Sequence, residues 1–258
     1  MSHRARKRFG QHFLTSDEAI ADIVAAIAPL DGQTIVEIGP GRAAITAPLA
    51  ASGASLHAIE FDRDLVTKLE RRFHDRNNVT IHEADALQFD FSSIGDRLRV
   101  VGNLPYNIST PLLFHLLSFR NNVVDMHFML QKEVVDRMSA TPGNKDYGRL
   151  TVMLGCRLEV VALFDVAPGA FTPAPKVMSS VVRLRPLPEG QFDIVDEALL
   201  ERIVRQAFSR RRKTLRNALE GQAGEAALEA AGIDPGKRPE QIPVTDWIGL
   251  ANELAGNK

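Results

Sequence analysis

The sequence predicts an α/β fold, and three observations carry that prediction. Short apolar runs alternate with helix-spaced segments through the first half of the chain. A glycine-rich turn, Gly39-Pro40-Gly41, joins one such run to a helical segment. The strand signals stop near Pro186-Leu187-Pro188, beyond which only helical patterns follow. The expected architecture is a Rossmann-like sheet domain over residues 1–187 and a small all-helical domain over residues 188–258.

Taken in order, Ser16-Asp17 is a helix start signal, and Ile20 to Ile27 follows with helical spacing. Thr34 to Ile38 reads as a short strand, and Ala43 to Ala51 as a helix. Leu56 to Ile59 is a strand ending at Glu60. Leu65 to Phe73 has helical spacing, and Val79 to His82 is a strand leading to Asp85. Leu98 to Val101 is the next strand and runs into Gly102-Asn103-Leu104-Pro105-Tyr106. Met126 to Leu130 and Val177 to Leu184 are further strands. Helices are expected at Glu197 to Phe208, Leu215 to Ala231 and Trp247 to Leu254, the last capped by Thr245.

The composition, 45% hydrophobic and 24% charged over 258 residues, is that of an ordinary globular protein. No stretch approaches the ~20 apolar residues of a membrane span. The basic N-terminus lacks the apolar core of a secretory signal. The single cysteine, Cys156, excludes an internal disulfide and argues against a cysteine-held metal, so a reducing cytoplasmic location is expected. The net charge of -1 rules out a uniformly basic binder, but the distribution is uneven. Arg4, Arg6, Lys7 and Arg8 crowd the N-terminus, and Arg205, Arg210, Arg211, Arg212, Lys213 and Arg216 fall within 205–216 with no acidic residue among them. These segments hold ten of the 31 Lys and Arg and are candidate phosphate-contact patches, or else solvated basic faces or partner-protein surfaces.

Glu37-Ile-Gly-Pro-Gly41 sits between a predicted strand and a predicted helix, where Gly39 and Gly41 let the backbone pass close beneath a ligand. It is neither the G-x-G-x-x-G of a nicotinamide fold nor a P-loop. S-adenosylmethionine carries no phosphate and needs one fewer tight glycine. Glu60, about 20 positions on, occupies the usual place of a ribose-binding carboxylate, where it can accept both hydroxyls. Asp85 is placed to accept from the adenine amino group of such a cofactor. Either carboxylate alone reads equally as a helix cap or a solvated loop residue; three ligands at successive strand ends read as a site.

Asn103-Leu104-Pro105-Tyr106 carries the chemistry. The exocyclic amine of adenine is a poor nucleophile because its lone pair is delocalised into the ring. The Asn103 side-chain carbonyl and the Leu104 main-chain carbonyl can accept both amine hydrogens and free that lone pair for in-line attack on a sulfonium methyl. Pro105 fixes the turn, and Tyr106 offers a face for stacking the base, worth ~1–3 kcal/mol. Positioning supplies most of the rate, and no metal is needed because the leaving group is already cationic. Phe171, in the proline-stiffened stretch Phe171 to Ser179, is a candidate for the other face of the base, or else a core phenylalanine.

At these residues the chain resembles the ribosomal RNA small-subunit adenine dimethyltransferase family, bacterial branch. The likeness runs from Arg6-Lys-Arg-Phe-Gly-Gln11 through the glycine turn and Asn103 to Pro111. It continues through Met129 to Glu133, Tyr147-Gly-Arg149 and Phe171 to Ser179, and ends at Arg238-Pro-Glu-Gln241. The resemblance implies N6,N6-dimethylation, from S-adenosyl-L-methionine, of two adjacent adenines in the 3′-terminal hairpin loop of 16S ribosomal RNA within the assembling 30S subunit. It also implies that residues 11–14 fold over the cofactor, with His12, Leu14, Gly39, Glu60, Asp85 and Asn103 as contacts. His12 stands where Asn is common and brings a titratable imidazole, and Arg42 stands where Leu is usual. A monomer is expected. The alternatives are a large-subunit enzyme of the macrolide-resistance type, a DNA adenine methyltransferase, which would need base flipping and a sequence-reading domain, and a non-catalytic assembly factor on the same fold.

Overall fold

The computed structural model describes residues 12–105 and 108–256. It falls into two compact units, one made of the residues up to Val135 with Val161–Pro186, the other of Asp136–Val160 with the residues from Leu187 onward. The sequence places the whole of 1–187 in the first domain; Asp136–Val160 instead groups with the second unit. The cause is burial. Tyr147, Val152 and Cys156 lie in one apolar cluster with Leu200, Ile203, Trp247 and Leu250, far along the chain.

The first unit opens with β1 (Phe13–Leu14), α1 (Asp17–Ile27), β2 (Thr34–Ile38), α2 (Thr46–Ala51), β3 (Ser55–Glu60), α3 (Arg63–Phe73), β4 (Val79–Glu83) and β5 (Leu98–Asn103). The chain continues through α4 (Ser109–Leu117), β6 (Val123–Gln131), α5 (Lys132–Met138), α6 (Arg149–Gly155), β7 (Leu158–Val166), β8 (Phe171–Thr172) and β9 (Ser179–Pro186). Local chemistry sets many of these ends. Ser16 caps α1 by accepting from the Ala19 N–H at 3.3 Å, and Asp62 caps α3 by accepting from Asp64 at 3.1 Å. Leu65, Val66, Leu69 and Phe73 form the buried stripe of α3 at helical spacing. The helix expected from Ala43 begins only at Thr46, because Ala43 sits at φ 65° in the preceding turn. The last strand starts at Ser179 rather than Val177, where its antiparallel ladder with β6 begins.

The sheet has seven strands in the order β4-β3-β2-β5-β6-β9-β7. β2, β3, β4, β5 and β6 run parallel, and β9 is antiparallel to β6. The chain winds outward from β2 through β3 to β4, then returns to place β5 on the other side of β2. This reversal opens a crevice at the carboxyl ends of the strands, the usual ligand position in an open α/β sheet. Gly102 makes the closest approach across it: a Cβ there would meet the Ile38 carbonyl oxygen at 2.5 Å. A separate two-stranded ribbon pairs Phe13 with Thr172 and Leu14 with Phe171.

In the second unit α7 (Glu197–Ser209), α8 (Leu215–Ala218), α9 (Glu225–Ala230) and α10 (Val244–Gly256) join α6 around a shared core. The helix expected over Leu215 to Ala231 divides into α8 and α9, interrupted by Gly221 at φ 81°. α10 begins at Val244, so Thr245 lies inside its first turn rather than capping it. No helix among the described residues is long and apolar enough to cross a membrane.

Replacing Gly102 with alanine is expected to cost about 1–3 kcal/mol through overpacking against Ile38, seen as a lower urea midpoint. An unchanged midpoint would mean that β2 and β5 separate freely.

Candidate active site

A cavity of about 270 Å³ lies at the carboxyl edge of the sheet, and its wall includes His12, Leu14, Gly39, Gly41, Glu60, Asp85 and Asn103. Leu104 and Pro105 complete that side of the wall. Residues from four adjacent strand ends and from β1 thus converge on one space. Tyr106, Arg4, Arg6, Lys7 and Arg8 lie outside the described residues.

The glycine turn is tied to its neighbour by the Gly39 N–H, which donates to the Ile59 carbonyl at 2.9 Å. Gly39 and Gly41 take φ 69° and 56°, conformations that favour glycine. A Cβ on Gly41 would sit 3.4 Å from the Phe13 ring, so the turn and β1 already touch there. Arg42, unexplained by the sequence, places its guanidinium carbon 4.3 Å from the centroid of that same ring. A cation–π contact of this kind is worth ~0.5–1 kcal/mol at an exposed site and lets an arginine serve beside the turn.

Glu60 is buried at the end of β3 and held by main-chain donors. Its Oε2 accepts from the Gly41 N–H at 3.2 Å; its Oε1 accepts from Phe61 at 3.0 Å and Asp62 at 2.9 Å. Burial raises its pKa, and the three backbone bonds oppose that rise. A carboxylate offers about four lone-pair positions, and three backbone donors already engage that of Glu60. Asp85 lies just beyond β4, and its Oδ1 accepts from the Leu87 N–H at 3.0 Å. It therefore caps its own turn while facing the cavity.

Glu37 is the site residue that sequence motifs alone undervalue. It is 2% exposed, lines the cavity, and its Oε2 has no hydrogen-bond partner among the described residues. Burial pushes its pKa up to about 7, opposed by the nearby Thr46 hydroxyl and reinforced by the charge of Glu60. Its presence in Glu37-Ile-Gly-Pro-Gly41 was the available signal; its isolation was not legible. Phe61, 60% exposed, also lines the cavity and directly follows the strand-end acid.

Asn103 ends β5, and its Nδ2 donates to the His12 carbonyl at 3.2 Å. That bond assigns the amide, leaving Oδ1 as an acceptor with no donor among the described residues. His12 Nδ1 stands 2.8 Å from the Pro173 carbonyl, which ties the residue to the loop after β8. The Leu104 side chain is buried, and its N–H donates to Met129 at 3.2 Å, fixing the main chain where the reacting group is expected.

Phe171 is packed into the core of the first unit. Its ring is 4% exposed, belongs to the core cluster with Leu14, Ile23 and Val181, and is absent from the cavity wall. Residues opposite each other in an antiparallel pair share a face. Pairing with Leu14 therefore sets Phe171 on the same face of the ribbon as a residue of the cavity wall.

The basic cluster of the second unit is also narrower than its sequence. Arg210 lies 3.6 Å from Glu220 and Arg211 3.7 Å from Glu240, so both are paired. Arg212 and Lys213 are exposed, with no carboxylate partner among the described residues.

The profile of the family described as "Ribosomal RNA adenine dimethylase" matches residues 2–256. The "Ribosomal RNA small subunit methyltransferase A" of Aromatoleum aromaticum is 58% identical over 253 residues, covering 98% of this chain and 95% of the relative. Its namesake from Pseudomonas putida is 53% identical over 256 residues, covering 98% and 96%. Among solved structures, a dimethyladenosine transferase from Plasmodium falciparum superposes with TM-score 0.83 at 25% identity, covering 95% of this chain and 98% of that one. The 23S rRNA methyltransferase ErmE superposes with TM-score 0.73 at 25% identity, covering 94% and 99%.

Glu37 supplies a pH test. Its proton is held more tightly in the folded than in the unfolded protein, so its contribution to stability is fully present below the ordinary carboxylate value of 4.5 and is lost as pH rises towards about 7. The loss amounts to about 3 kcal/mol across that window. In the ligand-free protein, Glu37→Gln should therefore gain stability relative to the wild type between these pH values. Parallel stability curves would contradict the assignment.

Proposed function

This chain belongs to the ribosomal RNA adenine dimethylase family, and from that premise we propose that it transfers methyl groups from S-adenosyl-L-methionine to the N6 amines of two adjacent adenines in the 3′-terminal hairpin loop of 16S ribosomal RNA. The observation that carries the reading is the Asn103 amide, tied by Nδ2 to His12 with Oδ1 left as an acceptor at the cavity wall. Further support comes from small-subunit relatives more than half identical over nearly the full chain.

The donor set fits the cofactor. Gly39 and Gly41 keep the turn free of side chains; Glu37 and Glu60 offer carboxylates to a cationic molecule rich in hydroxyls; Ile38, Ile59 and Phe61 give an apolar wall for a purine. When bound, the cofactor supplies an electrophilic methyl group on a sulfonium. In this reading Glu60 accepts from a ribose hydroxyl, Asp85 accepts from the cofactor's adenine amine, and His12 and Leu14 cover the cavity. Asn103 Oδ1 and the Leu104 carbonyl accept the hydrogens of the target amine and localise its lone pair. Neither group is basic, so they orient the nitrogen, and the proton shed after methylation leaves through solvent. Tyr106 is assigned to stacking of the target base. Fixing the reacting atoms in line can supply several of the ~7–11 kcal/mol available from positioning.

We assign contact with RNA phosphates to Arg212 and Lys213, helped by Arg210, Arg211 and the N-terminal cluster Arg4, Arg6, Lys7 and Arg8. The acceptor is taken to be the assembling 30S subunit, met by a single copy of the chain.

Labelled methyl groups from the cofactor should enter small subunits isolated from cells lacking the modification, reaching two methyls on each of two adjacent adenines by mass spectrometry. Label confined to large-subunit RNA or DNA, or none at all, would sink the proposal. Asn103→Ala should abolish transfer while RNA affinity stays within about twofold; turnover at the wild-type rate would remove Asn103 from the mechanism. Replacing Arg212 and Lys213 with alanine should lower the salt slope of RNA binding by about 1.5, at ~0.7–0.9 per phosphate contact. An unchanged slope would place the RNA elsewhere.

A further inference from the structure

The same sheet carries a second recess at the other end of its strands, of about 540 Å³, lined by Arg97, Arg99, Asp125, His127, Arg183 and Arg185 among others. Side chains alternate between the faces of a strand. Arg99 pairs with Asp125 and Val101 with His127 across β5 and β6, while His127 pairs with Arg183 across β6 and β9. Arg99, Asp125, His127, Arg183 and Arg185 therefore share one face. Further along it, Val101, Met129 and Val181 join the apolar core. Toward the strand starts this face turns from apolar to charged.

The charge there is not self-cancelling. Arg99 and Asp125 form a bidentate pair, Nε to Oδ1 and Nη2 to Oδ2, each at 2.9 Å. Arg99 also donates to Gln33 and to the Ile27 carbonyl, so both partners are fully engaged. Asp96, the other carboxylate on the wall, accepts from Asn122 at 2.6 Å. Arg97, Arg183 and Arg185 are left as excess positive charge.

Two buried groups have no partner. His127 is 4% exposed, and neither ring nitrogen has a hydrogen bond among the described residues; Asp125 Oδ1 is 3.8 Å away. The buried Nε of Arg183 is likewise unsatisfied. Leaving such a group unpaired costs ~1–3 kcal/mol. Burial, with Arg99, Arg183 and Arg185 close by, pushes the His127 pKa down against the pull of Asp125, so the neutral ring offers an N–H rather than a charge. The backbone is also unusual here: Arg97 and Ala28, both on the wall, take φ 57° and 47° without being glycine. At Ala28 this is the left-handed C-cap of α1, whose N–H donates to the Val24 carbonyl at 2.8 Å.

We propose that this recess binds a phosphoryl oxyanion, received by Arg183 and Arg185 with the His127 N–H and Arg97 as further donors. It is distinct from the methyl-transfer cavity. Arg99 and Asn103 lie four residues apart on β5, which separates the two sites by about 13 Å along the strand. A phosphodiester of bound RNA and free inorganic phosphate present the same oxygens.

The test uses the full chain and inorganic phosphate, with chloride at equal ionic strength as the reference. Phosphate should raise Tm saturably by several degrees and broaden its own phosphorus resonance. Both effects should vanish in Arg183→Gln/Arg185→Gln and weaken in Arg185→Gln, where an exposed residue is changed and the fold is at little risk. Lys68→Gln, on an exposed face of α3 outside both basic clusters, should leave them intact. A Tm response no greater than that to chloride, or one that survives in the double variant, would overturn the proposal and leave a recess filled by water. Displacement of phosphate by an RNA hairpin would identify a phosphodiester as the natural occupant; retention beside bound RNA would identify a free anion.

Discussion

The Asn103 amide nitrogen is bonded to the main chain of a segment 91 positions away, the His12 carbonyl. An amide free to rotate presents a donor and an acceptor by turns to anything that approaches. Committing Nδ2 leaves Oδ1, and an acceptor is what an N–H-bearing substrate requires. The rest of the first unit maintains that commitment. The pairing of β1 with β8 and the His12–Pro173 contact hold the His12 main chain in place. Gly102 draws β5 against β2 so that Asn103 emerges beside the glycine turn. Phe171 packs in the same core cluster as Leu14 and so helps to hold the ribbon.

Electrostatics at the same edge follows from how each carboxylate is solvated. Glu60 exchanges water for three main-chain N–H groups, which offset part of the cost of its burial. Glu37 has only Thr46 to oppose its burial and carries an unpartnered oxygen, so its proton is held to about pH 7. A cationic ligand entering the cavity relieves that situation, whereas an anionic one worsens it. The cavity therefore selects for positive charge before any shape is considered, in keeping with a sulfonium and unlike a dinucleotide-binding turn.

Much of this edge was legible in the sequence because the chemistry dictates the residue type at each strand end. Two glycines stand where the backbone turns at positive φ, and Glu60, Asp85 and Asn103-Leu104-Pro105 meet at the cavity wall as their strand-end positions predict. What was not legible depends on neighbours far along the chain. The membership of Asp136–Val160 in the second unit rests on Tyr147 and Val152 meeting residues of α7 and α10. β7 escaped notice because its half-exposed residues follow no strict alternation. The fate of Phe171 was decided by its partner Leu14, and the pairing of Arg210 and Arg211 by Glu220 and Glu240. Composition shows a run of four basic residues there, and only the fold shows which two lack a carboxylate.

The most direct test of the account is the structure of the protein with S-adenosylhomocysteine and a short RNA containing the target adenines. Glu60 is expected on a ribose hydroxyl, and the target N6 about 3 Å from both Asn103 Oδ1 and the Leu104 carbonyl, a normal hydrogen-bond distance. An adenine amine that meets neither acceptor, with the Asn103 amide turned over or its bond to His12 broken, would contradict it.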